Sequence, residues 1–326
     1  MTTLPRRSAI AAVLVLAVSA LAAGCGSSSA TSAASPTTPA ARTTAGSKAS
    51  SVPAEVASLH AMLPASIRSA GTITVATNAP FPPFEMFTSP TDQTIIGMEP
   101  DIGHLIGDVL GVKVVFKQQP FAGLIPGLQS GKYEMVMAGL SDTAQREKVV
   151  TMIDFDSSGQ GILVAAGNPD HLSTLLSLCG HTVAVQSGSN QVQLIGQENT
   201  KCAAAGKPAE NLLQLPDFND LLLAVTTGRA QAVLNTLPTI GYSLKTAANA
   251  SQFQLLHNPA APNGYDPLPG AIAVPKGDTA FANAIVGALN VLRQDGAYQA
   301  ALAKWGVRDI AVTHFTIDDP NNNGTS

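Results

Sequence analysis

The chain has 326 residues, 45% of them hydrophobic and only 12% charged, with a formal net charge of −4. That apolar content supports ordinary cores, and the slightly acidic balance leaves no basic footprint for nucleic acid or an anionic lipid surface.

In chain order, the first feature is Arg6 and Arg7 ahead of an apolar run over 9–23 that closes in Leu21-Ala22-Ala23-Gly24-Cys25. A positive start, a short apolar core and small residues before a cysteine form an export signal. The run is roughly 15 residues, short of the roughly 20 that a helix needs to cross a bilayer, and no later stretch comes closer. The closing residues resemble the lipobox of bacterial lipoproteins, which implies a diacylglyceryl group on Cys25, and two acyl chains anchor stably where one does not. The departure is Leu21, four residues before the cysteine where the usual pattern has it three before. Residues 1–25 are therefore read as signal peptide and lipobox, which places the rest outside the cytoplasmic membrane, on its outer face. Residues 26–60 are mostly Ser, Ala, Thr and Pro at their start, too poor in apolar surface to repay ordering, and are read as a tether. Cys179 and Cys202 remain, 23 positions apart in a compartment that permits oxidation, and an even pair there reads as a disulfide; two buried thiols are the rival.

The folded body begins with an alternating segment at 72–77 that predicts a strand. An amphipathic helix follows over 100–110, with Ile102, Leu105, Ile106, Val109 and Leu110 on one face and Gly111 at its end. A strand at 112–116, a short helix at 121–130 and a strand at 134–138 complete a β-α-β-α-β run. The alternation restarts with strands at 182–186, 212–215 and 231–234, separated by helical stretches that end at Gly206 and Gly228. Two such units imply an α/β fold of two lobes, each a mainly parallel sheet flanked by helices, with a ligand site where the carboxyl ends of the strands face each other. A strand at 271–274 and helices at 279–292 and 297–304 close the chain.

Four motifs stand in order: Phe81-Pro82-Pro83-Phe84-Glu85, Leu124 to Gly131, Gly139-Leu140-Ser141-Asp142-Thr143-Ala144-Gln145-Arg146, and Lys304-Trp305-Gly306. Together with 183–189 and 228–233 they resemble the polar-amino-acid branch of bacterial extracellular solute-binding proteins, the receptors of ABC importers. The resemblance covers about 71–306, and 232–248 is particularly similar to glutamine-binding proteins. It implies the two-lobed periplasmic-binding-protein fold, with lobe 1 over 61–165 and 267–313, lobe 2 over 166–266, and a flexible tail over 314–326. It also implies a monomer that hands a small solute to a membrane permease, with no cofactor, no metal and no nucleic acid.

An α-amino acid brings a carboxylate, an ammonium and a side chain into a closed cleft, and each needs a partner. Arg146 suits the carboxylate through its planar fork, with the Gly139 N–H and the Ser141 hydroxyl beside it. By resemblance, Ser189 and Asn190 close on the same carboxylate from the second lobe, at a helix start that also attracts anions; Ser189 reads equally well as a helix cap. Phe81 and Phe121 match the aromatic pair that sandwiches the ligand. The departure is Thr236, preceded by Asn235, where amino-acid receptors of this type carry an aspartate for the ammonium. Asn78 and Gln186 likewise stand where glutamine receptors use charged side chains. One arginine among neutral groups suits an anion, or a zwitterion whose ammonium finds another acid. Candidates for that acid are Glu85, Glu99, Asp154, Asp156, Asp217 and Asp266, with Glu99 and Asp101 also explained as helix-start carboxylates.

Two rival functions share this architecture. Extracytoplasmic dehydratases of cyclic carboxylic acids have the same fold, but the six histidines show no metal-ligand spacing and no nucleophile elbow is present; Glu85 or Asp266 would have to serve as the acid or base. A ligand sensor for a membrane kinase would use the same cleft. The sequence is read as a non-enzymatic, lipid-anchored receptor for a small carboxylate-bearing polar solute, above all an amino acid.

Overall fold

A computed structural model describes residues 56–321. Cys25, the signal peptide and the tether up to residue 55 lie outside the described residues, as do 322–326.

The chain runs through two short helices, α1 (Ala57–His60) and α2 (Ala65–Ala70), into β1 (Thr72–Thr77), the hairpin strands β2 (Met86–Phe87) and β3 (Ile95–Ile96), α3 (Met98–Leu110), β4 (Lys113–Gln118), α4 (Leu124–Gln129) and β5 (Met135–Val136). It continues through β6 (Val150–Ala165), β7 (Thr182–Gln186), α5 (Gln191–Ala204), β8 (Asn211–Leu215), α6 (Phe218–Thr226), β9 (Ala232–Thr236), α7 (Leu237–Thr246) and β10 (Phe253–Leu255). The last elements are β11 (Tyr265–Pro275), α8 (Thr279–Asp295) and α9 (Ala297–Lys304).

Strand order is β4-β1-β5-β11-β6-β9-β7-β8, with β10 also on β6. At one end β1 lies parallel between β4 and β5, and at the other β7 lies parallel between β9 and β8. These are the two lobes. The strands that join them, β6 and β11, run antiparallel to each other. β6 pairs with β11 from Val150 onward and is already paired with β9 at Gln160 and with β10 at Leu163. The lobe boundary expected at 165 coincides with the end of this 16-residue strand, which by then has paired with strands of both lobes.

Each sheet is covered on both faces, as parallel sheets require. In the first lobe Ile73 and Val75 pack with Ile102, Ile106, Ile285 and Leu289 of α3 and α8, while Ala76 and Val136 face Leu124 and Leu128 of α4. In the second lobe Val183 and Val185 face Leu194 and Ile195 of α5, and Ala184 turns toward Leu221 and Val225 of α6. The period-two alternation along β1 and β7 thus divides each strand between two helical layers. α3 lies close on β4 because it presents glycines there: a Cβ at Gly103 would stand 2.7 Å from the Phe116 ring, and one at Gly107 2.7 Å from the Val112 carbonyl oxygen.

Two sequence expectations change. The helix expected from Pro100 starts at Met98. The tail expected from 314 is tied down as far as Asp318: Ile317 bridges Ile153, Asp154 N–H donates to the Thr316 carbonyl, Asp318 N–H donates to the Met152 carbonyl, and Phe315 packs edge-on against Tyr298 at 5.2 Å. Cys179 and Cys202 form a disulfide with Cα atoms 5.7 Å apart, fastening the turn before β7 to α5. No helix among the described residues is long and apolar enough to cross a membrane.

Candidate functional site

The residues singled out from sequence lie at the carboxyl ends of the parallel strands or in the loops leaving them. β1 delivers Asn78 and Phe81, β4 leads to Phe121, and the loop after β5 carries Gly139, Ser141 and Arg146. From the facing lobe β7 ends in Gln186 and leads to Ser189 and Asn190, and β9 ends in Asn235 and Thr236.

Arg146 joins the two lobes. Its Nη1 donates to the Ser141 carbonyl at 2.7 Å and its Nη2 to the Gly188 carbonyl at 3.1 Å, while its guanidinium sits 5.7 Å from the centre of the Phe121 ring. Loss of water around it lowers its pKa to about 10, against the pull of Asp142, so it stays cationic at neutral pH. Ser141 Oγ donates to Asn190 Oδ1 at 3.4 Å. Asn190 Nδ2 and Ser189 Oγ are buried without a hydrogen-bond partner among the described residues. Around them a cavity of about 240 Å3 opens outward, lined by Arg146, Thr143, Ser189 and Asn190 among others. A half-buried cation held by carbonyls, with spare donors facing it, is a place for a carboxylate.

A second constellation lies at the end of β1 and β7. Gln186 Nε2 donates to Asn78 Oδ1 at 2.7 Å and to the Pro216 carbonyl at 3.1 Å, and Asn78 Nδ2 donates to the Gln119 carbonyl at 3.0 Å. Phe81 meets Phe218 of α6 edge-on at 6.4 Å and stacks on Phe84 at 5.5 Å. With Arg146–Gly188, these contacts hold the lobes against each other.

Asn235 and Thr236 are engaged with one another. The Thr236 N–H donates to Asn235 Oδ1 at 2.6 Å, and Thr236 Oγ1 lies 3.0 Å from Thr239 Oγ1 in the first turn of α7. Thr236 pairs with Gln160 across β6 and β9. Gln160 accepts from Gln191 Nε2 at 2.6 Å, and its own Nε2 is buried without a partner among the described residues. Sequence reading missed Gln160, because the crossover strand that carries it has no clear period, and missed Phe218, whose helix was recognised but not its turn toward Phe81.

Gly139 differs from expectation. Its N–H donates to Glu99 Oε1 at 2.9 Å and so is not on offer to a ligand. Its φ is +57°, and a Cβ there would stand 2.5 Å from the Phe81 ring, so glycine is what lets Phe81 lie over the strand end.

The candidate acids divide. Glu85, Glu99 and Asp156 are fully enclosed in the first lobe. Burial raises Glu85 well above the usual carboxylate range, with the Glu99 charge adding to it, and raises Glu99 to about 8 and Asp156 to about 7; both Glu85 oxygens are without a hydrogen-bond partner among the described residues. Glu99 sits in the first turn of α3 as expected, yet it is turned inward to Gly139. Asp142 and Asp154 form a second enclosed group, pushed by burial to about 7 and about 8, with Thr316 donating to Asp154 at 2.7 Å. Asp217 caps α6 by accepting from Asp220 N–H, Asp266 is exposed near Lys201, and Asp101 takes Lys304 and Trp305 at 2.6 and 2.7 Å. No acid among the described residues bonds Thr236. Among the described residues the one group of potential metal-binding atoms is Cys179, Cys202 and Glu210, whose two sulfurs are bonded to each other.

Residues 73–308 match the family model of the bacterial extracellular solute-binding proteins, family 3. The chain is 27% identical over 260 residues to the arginine-binding protein ArgT of Corynebacterium glutamicum, a match that covers 79% of this chain and 82% of that one. Among solved structures it is similar to an ancestral arginine-binding protein bound to arginine, with TM-score 0.64 and 32% identity over 72% of this chain and 98% of the other. It is equally similar in shape, at TM-score 0.64 and 28% identity over 74% and 97%, to the ancestral amino acid-binding protein AncCDT-1, described as a precursor of cyclohexadienyl dehydratase.

Proposed function

The chain belongs to the bacterial extracellular solute-binding proteins of family 3, and from that premise we propose that it is the receptor of an ABC importer for an amino acid, anchored to the outer face of the membrane through a lipidated Cys25. Its relatives include an arginine-binding protein and proteins named as ABC transporter arginine- and glutamine-binding proteins. The observation that carries the reading is Arg146, a cation placed where both lobes meet and bonded to a carbonyl of each.

In this reading a ligand carboxylate docks on the first lobe against Arg146 and Ser141. The second lobe then closes, bringing the free Ser189 hydroxyl and Asn190 amide onto the same group. Phe81, Phe121 and Phe218 cover the aliphatic part. The closed pair of lobes is the form presented to a permease, by a receptor acting as a monomer. A micromolar ligand corresponds to about −8 kcal/mol, within reach of a few charge-assisted bonds after ordering costs.

The likeness to AncCDT-1 makes dehydration the alternative chemistry. We assign binding rather than catalysis, because the enclosed acids Glu85, Glu99 and Asp156 lie outside the lining of the Arg146 cavity, with Glu99 taken by the Gly139 N–H. Calorimetric titration with amino acids and their deaminated analogues, run beside a turnover assay on cyclohexadienyl carboxylates, tests both. Saturable binding without product formation is expected; product formation overturns the assignment. Retained solute uptake in a deletion strain would favour the sensor role instead.

A further inference from the structure

We propose that Cys179, Cys202 and Glu210 form a thiol–disulfide exchange unit, in which Cys179 meets an outside sulfur, Cys202 closes or opens the ring and Glu210 carries its proton. The unit is independent of what the cleft binds. Cys179 sits in the turn that enters β7, Glu210 immediately precedes β8, and Thr182 pairs with Asn211 at the amino ends of those strands, whereas the cleft groups leave carboxyl ends.

Glu210 makes no side-chain bond in the oxidised fold. It is 4% exposed, and both of its carboxyl oxygens are buried without a hydrogen-bond partner among the described residues. Its backbone is pinned instead: the N–H donates to Asn199 Oδ1 at 2.6 Å, and the carbonyl accepts from Asn199 Nδ2 at 3.5 Å. An enclosed, unpaired carboxyl costs stability that an apolar residue would not. A carboxyl oxygen and the two sulfurs nevertheless lie within 4.8 Å of one another, so rotation of a cysteine side chain brings thiol and carboxylate together once the bond is open. The titratable groups on the surrounding elements are Glu198 on α5, paired with Lys201 at 2.6 Å, Asp266 on β11, Lys207 in the loop before β8, and His181 in the turn after Cys179. Burial, with the Glu198 charge adding to it, lifts Glu210 to about 7, a proton affinity suited to exchange at neutral pH.

Burial sets the order of events. Cys202 is fully enclosed and Cys179 is 9% exposed, so an outside sulfur reaches Cys179 first. In closure, the Cys179 thiol exchanges into an external disulfide, which leaves a mixed disulfide and releases one external thiol. The Cys202 thiol then gives its proton to the Glu210 carboxylate, its thiolate attacks the Cys179 sulfur, and the second external sulfur departs as a thiol with that proton. Two electrons pass from the protein dithiol to the external disulfide, which becomes two thiols. In opening, an external thiolate attacks the Cys179 sulfur and protonated Glu210 supplies the proton to the departing Cys202 sulfur.

The test reduces the whole protein without air, removes the reductant, adds oxidised glutathione and counts quenched thiols over time across a range of pH. The wild-type rate of ring closure should rise with pH through an inflection near the Glu210 value of about 7. Glu210→Gln should close roughly tenfold or more slowly at neutral pH, with its inflection moved up toward the ordinary thiol range of about 8.5. Cys202→Ser should accumulate glutathione on Cys179, while Cys179→Ser should leave Cys202 unmodified. An unchanged rate and pH profile in Glu210→Gln, or glutathione taken up on Cys202 rather than Cys179, overturns the proposal. Should circular dichroism show that reduction unfolds the chain, the comparison runs on the oxidised folded protein with reduced glutathione. Glu210→Gln should then slow bond opening by a similar factor, and equal opening rates count against the unit in the same way.

Discussion

The two lobes repeat one strand–helix plan but differ in what they bring to the cleft. The first lobe contributes the cation, Arg146, and encloses five carboxyl groups, Glu85, Glu99, Asp142, Asp154 and Asp156. The second contributes neutral groups only, Gln186, Ser189, Asn190, Asn235 and Thr236, and holds its frame with a covalent tie at Cys179–Cys202. A charged lobe can capture a ligand while open. In the proposed receptor a neutral lobe adds directional bonds that are cheap to break, which suits a closure that must reverse.

The sharpest way to break that comparison is Arg146→Ala. It removes the cleft's cation and both carbonyl bonds, and loss of charge-assisted bonds to a carboxylate should weaken binding roughly a hundredfold or more. Arg146→Lys should recover part of it, since a point charge replaces a fork. Calorimetry showing wild-type affinity in the alanine variant would remove the first lobe's special role.

The tie in the second lobe should act on stability and leave affinity alone. Replacing Cys179 and Cys202 together by Ser releases a loop of 23 residues and should cost about 3 kcal/mol, a fall of roughly 6–12 °C in Tm for a body of this size. Ligand affinity measured well below that Tm should not move, because neither cysteine touches the cleft groups.

The enclosed acids give the first lobe a pH signature. Their folded pKa values lie above the usual carboxylate range, at about 7 for Asp142 and Asp156 and about 8 for Glu99 and Asp154. The folded state therefore holds protons that the unfolded chain releases above about pH 4. That contribution is fully present below about pH 4 and is lost as pH rises toward 8. The second lobe has Glu210, raised to about 7, as its counterpart. Thermal melts should show Tm falling between pH 5 and 8, and Asp154→Asn should flatten the slope more than Glu210→Gln does. Equal flattening would place the two lobes on a par.

Much of this division was legible in the residues. The alternation in 72–77 and 182–186, the helix at 100–110 and the loop from Gly139 to Arg146 declared themselves through local period and motif, because each is specified by neighbours in sequence. β6 did not: Asp154, Asp156 and Gln160 interrupt its apolar run, and they are tolerated only because tertiary partners enclose them. Glu99 shows the same limit. A carboxylate in a first helical turn reads as a dipole partner, and only the arrival of the Gly139 amide from the loop after β5, 40 residues on, turns it into a buried strut. The segment after 310 lacks any strong pattern of its own and becomes ordered by pairing with β6.

The smallest change that sharpens the contrast is to charge the neutral lobe. Thr236 is 4% exposed, beside Asn235, Thr239 and the unpartnered Gln160 amide. An aspartate there would be costly to bury alone but would gain a partner whenever the ligand brings an ammonium. Thr236→Asp should therefore raise the preference for L-glutamine over glutaramate, the same molecule without its amino group, by roughly tenfold, or about 1.4 kcal/mol. Titrating both ligands into wild type and variant isolates the ammonium, because everything else about them is shared. An unchanged ratio would mean that the amino group sits away from β9 and draws its counter-charge from the first lobe, which would make that lobe the source of both signs of charge and leave the second one a purely neutral lid.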